Sequence, residues 1–224
     1  MKISVLLPTT GSRLSLLIGA IESLYKTTEG YDVELVLVVD ENKDVLNYGN
    51  YLSGEFILDY SRTRRGALRC WNRGLELSTG RIIVPAGDDQ LFHEGWLGFA
   101  LQSHFDQLEG RGVVGMNDLA YDGNTQVATM FLFDREYCKE VMGGVFAPPQ
   151  YKYYCIDSEW NEKAKLHDRF YWDSRSKVEH LHAAHNKRPV DSLDLEKQEF
   201  LEHDTRVFEE RKSQGFPIDY PSII

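Results

Sequence analysis

The chain contains the segment Gly80-Arg-Ile-Ile-Val-Pro-Ala-Gly-Asp-Asp-Gln-Leu-Phe-His-Glu-Gly-Trp-Leu97. Its apolar, β-branched run at 81–85 predicts a short buried strand. Asp88 and Asp89 follow this run after a glycine, so the strand places two adjacent carboxylates at its carboxyl end. Adjacent carboxylates repel each other, and a hard divalent cation relieves that repulsion. The alternative is an ordinary solvated Asp-Gly turn without a ligand.

The residues before this segment predict a β-α-β unit. The apolar run 3–7 reads as a buried strand closed by the turn 8–11, and the run 34–39 reads as a second strand that ends at Asp40. Apolar residues at helical spacing lie between them, on a helix that Ser12 could cap. Strands that are apolar throughout and joined by a helix predict parallel pairing.

Further elements complete an α/β chain. We predict strands at 54–60, 113–114 and 126–133, and helices at 65–78, 96–105, after Asp134 and from about Asp157. The predicted fold class is α/β, with a mostly parallel sheet flanked by helices. In open α/β sheets ligands bind beyond the carboxyl ends of the strands, which here carry Thr9, Asp40 and the Asp88–Asp89 pair.

Composition narrows the class of protein. A chain of 224 residues that is 42% hydrophobic can bury one full core with extensions. The net charge of −10 argues against a protein held on nucleic acid mainly by phosphate neutralisation. No apolar run approaches the roughly 20 residues of a membrane span, and the three dispersed cysteines suggest reduced thiols, so we expect a cytoplasmic protein with no membrane span. The first turn lacks the Gly-x-Gly-x-x-Gly pattern of dinucleotide sites.

Two later segments carry candidate functional groups. On a helix from about Asp157, that acid shares the face of Trp160 and would lie on the buried stripe; a simple N-cap role remains the alternative. The alternating run 178–182 places His180 and His182 on one side of a strand, with His185 nearby. Metal ligation and an ordinary structural role both remain open for these histidines.

Several motifs in this order resemble the family 2 glycosyltransferases of the GT-A fold, over most of residues 3–185. They are Ile3-Ser4-Val5-Leu6-Leu7-Pro8-Thr9, Val38-Val39-Asp40, Gly66 with Asn72 and Gly74, Gly87-Asp88-Asp89 followed by Glu94-Gly95-Trp96-Leu97, Asp157-Ser158-Glu159-Trp160, and Glu179-His180-Leu181-His182. The resemblance implies a metal-dependent, inverting transfer of a sugar from a nucleoside diphosphate sugar, expected to be a UDP-sugar, to an acceptor hydroxyl.

The resemblance also implies roles for individual residues. For the metal, Mn or Mg, it implies Asp89 with His182 or His180. For the donor nucleotide it implies Thr9, Asp40, Arg65, Gly66 and Asp88. For the catalytic base it implies Asp157, with Glu159 as the second candidate.

Residues 1–190 are predicted to form the GT-A domain, with a nucleotide-sugar-binding half at 1–97 and an acceptor-binding half at 98–190. Residues 191–224 are expected to form a surface helix, weakly amphipathic around Leu201, Thr205 and Phe208, and then an irregular tail. The acceptor is expected to be a glycan or another hydroxyl compound. Two alternatives remain: a glycosyltransferase acting on modified nucleic-acid bases, supported by the arginines of 62–73, and a non-catalytic nucleotide-sugar or glycan-binding module.

Overall fold

A computed structural model describes residues 1–42, 45, 56–120 and 127–218. Its strands are β1 (Ile3–Thr9), β2 (Val33–Asp40), β3 (Phe56–Ser61), β4 (Ile82–Pro85), β5 (Gln90–Phe92), β6 (Val113–Asn117), β7 (Met130–Asp134) and β8 (Phe170–His180). Its helices are α1 (Leu14–Thr27), α2 (Ala67–Leu77), α3 (Trp96–Leu108), α4 (Arg135–Met142), α5 (Ile156–Leu166), α6 (Ser192–Gln198) and α7 (Leu201–Ser213). The predicted strand residues 54, 55 and 126 lie outside the described residues.

The strands form one sheet in the order β3-β2-β1-β4-β7-β6-β8-β5. β1 pairs in parallel with both β2 and β4, and β2 pairs in parallel with β3. β7 is antiparallel to both of its neighbours, β4 and β6, whereas β6 and β8 are parallel. The four strands of the amino-terminal half therefore end at one edge of the sheet, as the sequence predicted.

Both faces of the sheet are covered. On one face, Val5 and Leu7 of β1 belong to a core that includes residues of α1 and α3. On the other face, Leu6 belongs to a core that includes residues of α2, α4 and α5, among them Trp160. Burial on both faces explains why β1 and β2 are apolar at almost every position. The predicted α/β sheet flanked by helices is confirmed.

Local details differ from the sequence prediction in places. Asp134 caps α4 as predicted, by accepting a hydrogen bond from the Tyr137 backbone N–H at 2.8 Å. The predicted Ser12 cap is wrong: α1 begins after Arg13 without a side-chain cap, and the Ser12 hydroxyl instead pairs with the Thr10 hydroxyl at 2.8 Å. β5 was not predicted, because three residues are too few for a periodic signal.

The carboxyl-terminal segment differs most from its prediction. It forms two helices, α6 and α7; on the predicted weakly amphipathic face of α7, Phe208 packs against the core as expected, whereas Leu201 is 50% exposed. The buried residues of α7 are instead Asp204 and Arg211, at 0% and 4% exposure. Asp204 accepts hydrogen bonds from the backbone N–H groups of residues 152–154. No helix in the described part of the chain is long and apolar enough to cross a bilayer.

Candidate functional site

A cavity of about 640 Å³ opens at the sheet edge where β1, β2 and β4 end. Every predicted site residue except Glu159 lines this cavity: Thr9, Asp40, Arg65, Gly66, Asp88, Asp89, Asp157, His180 and His182. They come together because the parallel strands β1, β2 and β4 end at one edge, while β8 and α5 bring the later residues to it. Sequence reasoning thus located the site, and the role of each residue stays a prediction.

Asp40, at the end of β2, shapes the loop that precedes α2. Its two carboxylate oxygens accept hydrogen bonds from the backbone N–H groups of Arg65 at 2.7 Å and Gly66 at 2.9 Å. Gly66 has φ 86°, a left-handed conformation that favours glycine. The Arg65 guanidinium lies 2.8 Å from Asp59. The side chains of Asp40 and Arg65 therefore both have partners within the protein. Each carboxylate oxygen of Asp40 has a second lone pair, which can still accept a hydrogen bond from a ligand in the cavity.

The acid pair is held beneath the cavity by three side chains. Asp88 and Asp89 are 8% and 7% exposed. The Thr9 hydroxyl donates a hydrogen bond to Asp88 Oδ2 at 2.8 Å. Arg13 Nη1 lies 3.9 Å from Asp88 Oδ1 and 3.3 Å from Asp89 Oδ2, and Arg188 Nη2 lies 3.5 Å from the same Asp89 oxygen.

The two acids differ in their pKa values. Burial, followed by the charge of Asp89, raises the pKa of Asp88 to about 6. Burial acts in the same direction on Asp89, but the hydrogen bond and charge of His180, with the charges of Lys197 and Arg13, hold its pKa below the usual range. Asp89 is therefore the firmly ionised member of the pair at neutral pH.

Asp89 and His180 suit a divalent cation. His180 Nε2 lies 3.3 Å from Asp89 Oδ1, and carboxylate oxygen with imidazole nitrogen is a donor set that Mn²⁺ accepts. Burial, followed by the charge of His180, lowers the pKa of His182, which favours the neutral form that ligates metals. Within the described ranges, no three His, Cys, Asp or Glu side chains are already grouped to hold a metal. The remaining ligands would have to come from a bound molecule such as a diphosphate.

The histidine rings pack edge to face beside this pair. The rings of His180 and His182 have centroids 4.9 Å apart, and those of His182 and His185 are 5.8 Å apart. His182 Nδ1 accepts a hydrogen bond from the Ala184 backbone N–H at 3.0 Å, so the neutral ring carries its proton on Nε2, which can donate a hydrogen bond to a ligand. The structure thus brings His180 into contact with Asp89 and keeps His182 one ring further away.

The two candidate bases lie in different surroundings. Asp157 lines the cavity from the first turn of α5 and is half-buried, and burial raises its pKa above the usual range. Cys155, not Asp157, occupies the N-cap position, so the N-cap alternative is wrong. Glu159 is fully buried: Arg211 donates to both of its oxygens at 2.9 Å, and the Tyr151 hydroxyl donates at 2.7 Å. Of the two, only Asp157 faces the cavity.

Sequence reasoning missed five charged residues at the site. They are Arg13, Arg188, Asp191, Asp194 and Lys197. Arg13 donates to Asp191 at 2.7 Å and to Asp194 at 2.8 Å. Arg188 donates to Asp194 at 2.6 Å. The Asp191-x-x-Asp194 capping box could have predicted the start of α6 from the sequence, but not that α6 closes one side of the cavity.

Aromatic residues form an aromatic wall along part of the cavity, namely Trp71, Phe131, Phe146, Tyr151, Tyr153, Tyr154 and Phe200. Aromatic faces of this kind stack on sugar rings and on bases. Of the arginines at 62–73, three are paired with carboxylates: Arg64 with Glu196, Arg65 with Asp59, and Arg73 with Glu76. Such pairing reduces the positive charge this face offers to a nucleic acid.

Comparison with known proteins finds no matching family model and no matching curated protein. Solved structures do match. A mannosyltransferase, PcManGT from Pyrobaculum calidifontis, in complex with GDP-Man and Mn²⁺, aligns with TM-score 0.71 and 18% identity over 92% of this chain and 64% of that one. TarS 1–349 from S. aureus aligns with TM-score 0.61 and 17% identity over 99% of this chain and 76% of that one. TarS in complex with UDP-GlcNAc aligns with TM-score 0.61 and 18% identity over 80% and 57%.

The chain spans less than two thirds of the mannosyltransferase chain, at 64% of its length. At 17–18% identity, these matches indicate the fold of this chain but not its activity. The sheet order, the cavity at the strand ends and the matches agree with one another. This chain has the GT-A glycosyltransferase fold that its sequence predicted.

Proposed function

We propose that this chain is a metal-dependent, inverting glycosyltransferase that moves a sugar from a nucleoside diphosphate sugar, with UDP as the expected nucleotide, to an acceptor hydroxyl. One observation carries the proposal: the paired carboxylates Asp88 and Asp89 and the half-buried Asp157 line the same cavity at the strand ends. GDP-Man with Mn²⁺ and UDP-GlcNAc, bound in solved structures of the same fold, support a sugar nucleotide as the ligand.

In the proposed reaction, Asp157 accepts the proton of the acceptor hydroxyl as that oxygen attacks the anomeric carbon. The bond from the anomeric carbon to the diphosphate oxygen breaks at the same time, and its electron pair leaves with the nucleoside diphosphate. Attack from the face opposite the leaving group inverts the anomeric configuration. The raised pKa of Asp157 suits a base near neutral pH, because it lies closer to the working pH than that of a solvated aspartate.

The donor is held by residues at the strand ends. Asp89 and His180, with His182 as the alternative ligand, would hold Mn²⁺ or Mg²⁺, and a bound divalent ion supplies Lewis-acid stabilisation of diphosphate charge. Thr9 fixes Asp88 in the cavity floor, where its carboxylate can accept hydrogen bonds from ribose hydroxyls. The loop at Arg65 and Gly66, which Asp40 holds, is proposed to contact the base or phosphates. The aromatic wall is proposed to receive a glycan or another hydroxyl acceptor.

A thermal-shift panel of UDP, GDP and their sugars, with and without Mn²⁺, tests the donor site. A ligand at about 100 times its Kd stabilises the folded state by about 2.7 kcal/mol, which raises Tm by roughly 5–10 °C in a chain of this size. We expect one nucleotide to produce this shift only with Mn²⁺, and Asp89→Ala to abolish it. Absence of any shift across the panel would refute a working donor site, and an unchanged shift in the variant would refute the metal role of Asp89.

A further inference from the structure

Lys197 is a cation of the cavity wall that no carboxylate pairs with in the part of the chain that the structure describes. It lies near the end of α6, and its ammonium nitrogen sits 4.5 Å from the centroid of the Tyr153 ring. Across residues 1–42, 45, 56–120 and 127–218, no acidic side chain lies within the 4.0 Å of a salt bridge to this nitrogen. It nonetheless lines the same cavity as Asp88 and Asp89.

The neighbouring cations are engaged. Arg13 is 7% exposed and donates to Asp191 and Asp194 through Nε and Nη2, and Arg188 donates to Asp194 through both terminal nitrogens. These bonds fix the two guanidinium groups against α6. Lys197 projects from the same helix, and no hydrogen bond or salt bridge within the described residues uses its ammonium, so its donors remain available to a ligand.

A charged group taken out of water is costly unless something compensates it. An aromatic face offers an ammonium partial compensation, roughly 0.5–2 kcal/mol. The aromatic face does not fully offset the cost of burying the ammonium. In agreement with this, burial, followed by the charge of Arg13, lowers the pKa of Lys197. The position therefore suits a lysine whose anionic partner arrives with a ligand.

We propose that the Lys197 ammonium binds the diphosphate of the donor and stabilises the negative charge of the leaving nucleoside diphosphate, an inference that rests on the proposed function. As the bond between the anomeric carbon and the diphosphate oxygen breaks, charge accumulates on that oxygen. A cation already held in the cavity stabilises this charge without reorganisation. Lys197 is then a catalytic residue that α6, in the carboxyl-terminal segment, contributes to the site.

Calorimetric titration with UDP, GDP, uridine and guanosine in the presence of Mn²⁺ separates the diphosphate from the base. We expect Lys197→Met to raise the Kd of the bound nucleoside diphosphate about 10- to 100-fold, the usual range for a lost charged hydrogen bond, and to leave the Kd of the nucleoside within about twofold. Lys197→Arg should recover most of the diphosphate affinity. The matched control is Lys165→Met, which removes another lysine above an aromatic ring, Phe170 at 5.0 Å, outside the cavity.

Labelling of the wild-type protein provides a second readout that does not require a variant. We expect UDP or GDP, whichever binds, to protect Lys197 but not Lys165 from acetylation as measured by mass spectrometry. Unchanged diphosphate affinity in Lys197→Met, equal losses for diphosphate and nucleoside, or no protection would each overturn this inference and leave the proposed function standing. A wild-type protein that binds neither UDP nor GDP with Mn²⁺ would overturn both.

Discussion

At the amino end of the sheet, Glu34 is 1% exposed and accepts hydrogen bonds from the Ser4 hydroxyl at 2.6 Å and the Thr79 hydroxyl at 2.9 Å. Burial raises its pKa, but these bonds, the Thr79 backbone N–H and the Lys2 ammonium at 3.1 Å outweigh it and bring the pKa to about 2. At the carboxyl end, Asp88 is 8% exposed, receives one hydroxyl hydrogen bond from Thr9, and has a pKa raised to about 6.

The difference distinguishes two uses of a buried acid. Where the chain supplies enough donors, as at Glu34 and at Glu159, the carboxylate stays ionised and joins segments of the fold. Where the donors are too few, as at Asp88, a raised pKa marks a group that a ligand can complete. The following predictions test this division between structural acids and cavity acids.

The largest effect is expected at the cavity acid Asp157. Asp157→Asn removes the proposed base but keeps the shape of the side chain, so we expect kcat to fall about 10²- to 10⁴-fold with little change in nucleotide Kd. Steady-state kinetics with the donor found by the panel measures this.

Because burial raises the pKa of Asp157, the wild-type kcat should decline on the acid side at a pH above the usual aspartate range, and the variant should lack this decline. Normal turnover in Asp157→Asn would show that Asp157 is not the catalytic base. Asp168→Asn, the same substitution at an exposed aspartate outside the cavity, is the matched control and should retain activity.

The structural acid Glu159 depends on Arg211. Arg211→Met takes two hydrogen bonds from the fully buried Glu159, which keeps Tyr151 and the Lys163 ammonium at 3.2 Å. We therefore expect the unfolding free energy to fall by an amount below the about 3–5 kcal/mol that a buried charge with no remaining partner costs. Urea unfolding monitored by circular dichroism measures the loss. Arg206→Met, an exposed arginine of the same helix, is the matched control and should change stability by less than about 0.5 kcal/mol. Equal effects would contradict the structural role.

A smaller loss is expected for Glu34→Gln, about 1–3 kcal/mol at pH 7, because the amide cannot replace every accepted bond. The folded-state pKa of Glu34 is lowered, so its contribution is present above its unfolded value of 4.5 and is lost as pH falls toward about 2. The stability gap between wild type and variant should therefore narrow below pH 4.5. A gap independent of pH would contradict this assignment.

The smallest effect is expected at Thr9, the hydroxyl donor to Asp88. Thr9→Val should weaken nucleoside diphosphate binding up to about tenfold, the value of one hydrogen bond, and Thr9→Ser should restore it. Unfolding free energy should change less than in Glu34→Gln, since the effect falls on the ligand site. If Thr9→Val lowered the unfolding free energy by more than it lowered the free energy of nucleoside diphosphate binding, Asp88 would belong with the structural acids.

Local sequence patterns were sufficient to predict the parallel strands β1, β2 and β4 and the residues at their carboxyl ends. The runs at β1, β2 and β4 are apolar throughout, and parallel strands buried on both faces require that composition. The acids that follow them had to lie at one edge, because parallel strands end together. The cavity residues were therefore predictable from their places in the chain.

The carboxyl-terminal segment was decided by tertiary structure. Periodicity predicted a weakly amphipathic helix, and Phe208 of α7 does pack against the core. It did not predict that Asp204 and Arg211 are the buried residues of α7, where remote backbone amides and Glu159 compensate their charges. Arg13 meets Asp191 across 178 residues of sequence, and Lys197 reaches the cavity only because that contact positions α6. The sequence by itself determined which segments are apolar and where the strand-end acids lie. Only the folded chain decides which charges are buried, because the cost of burying a charge depends on partners far away in sequence.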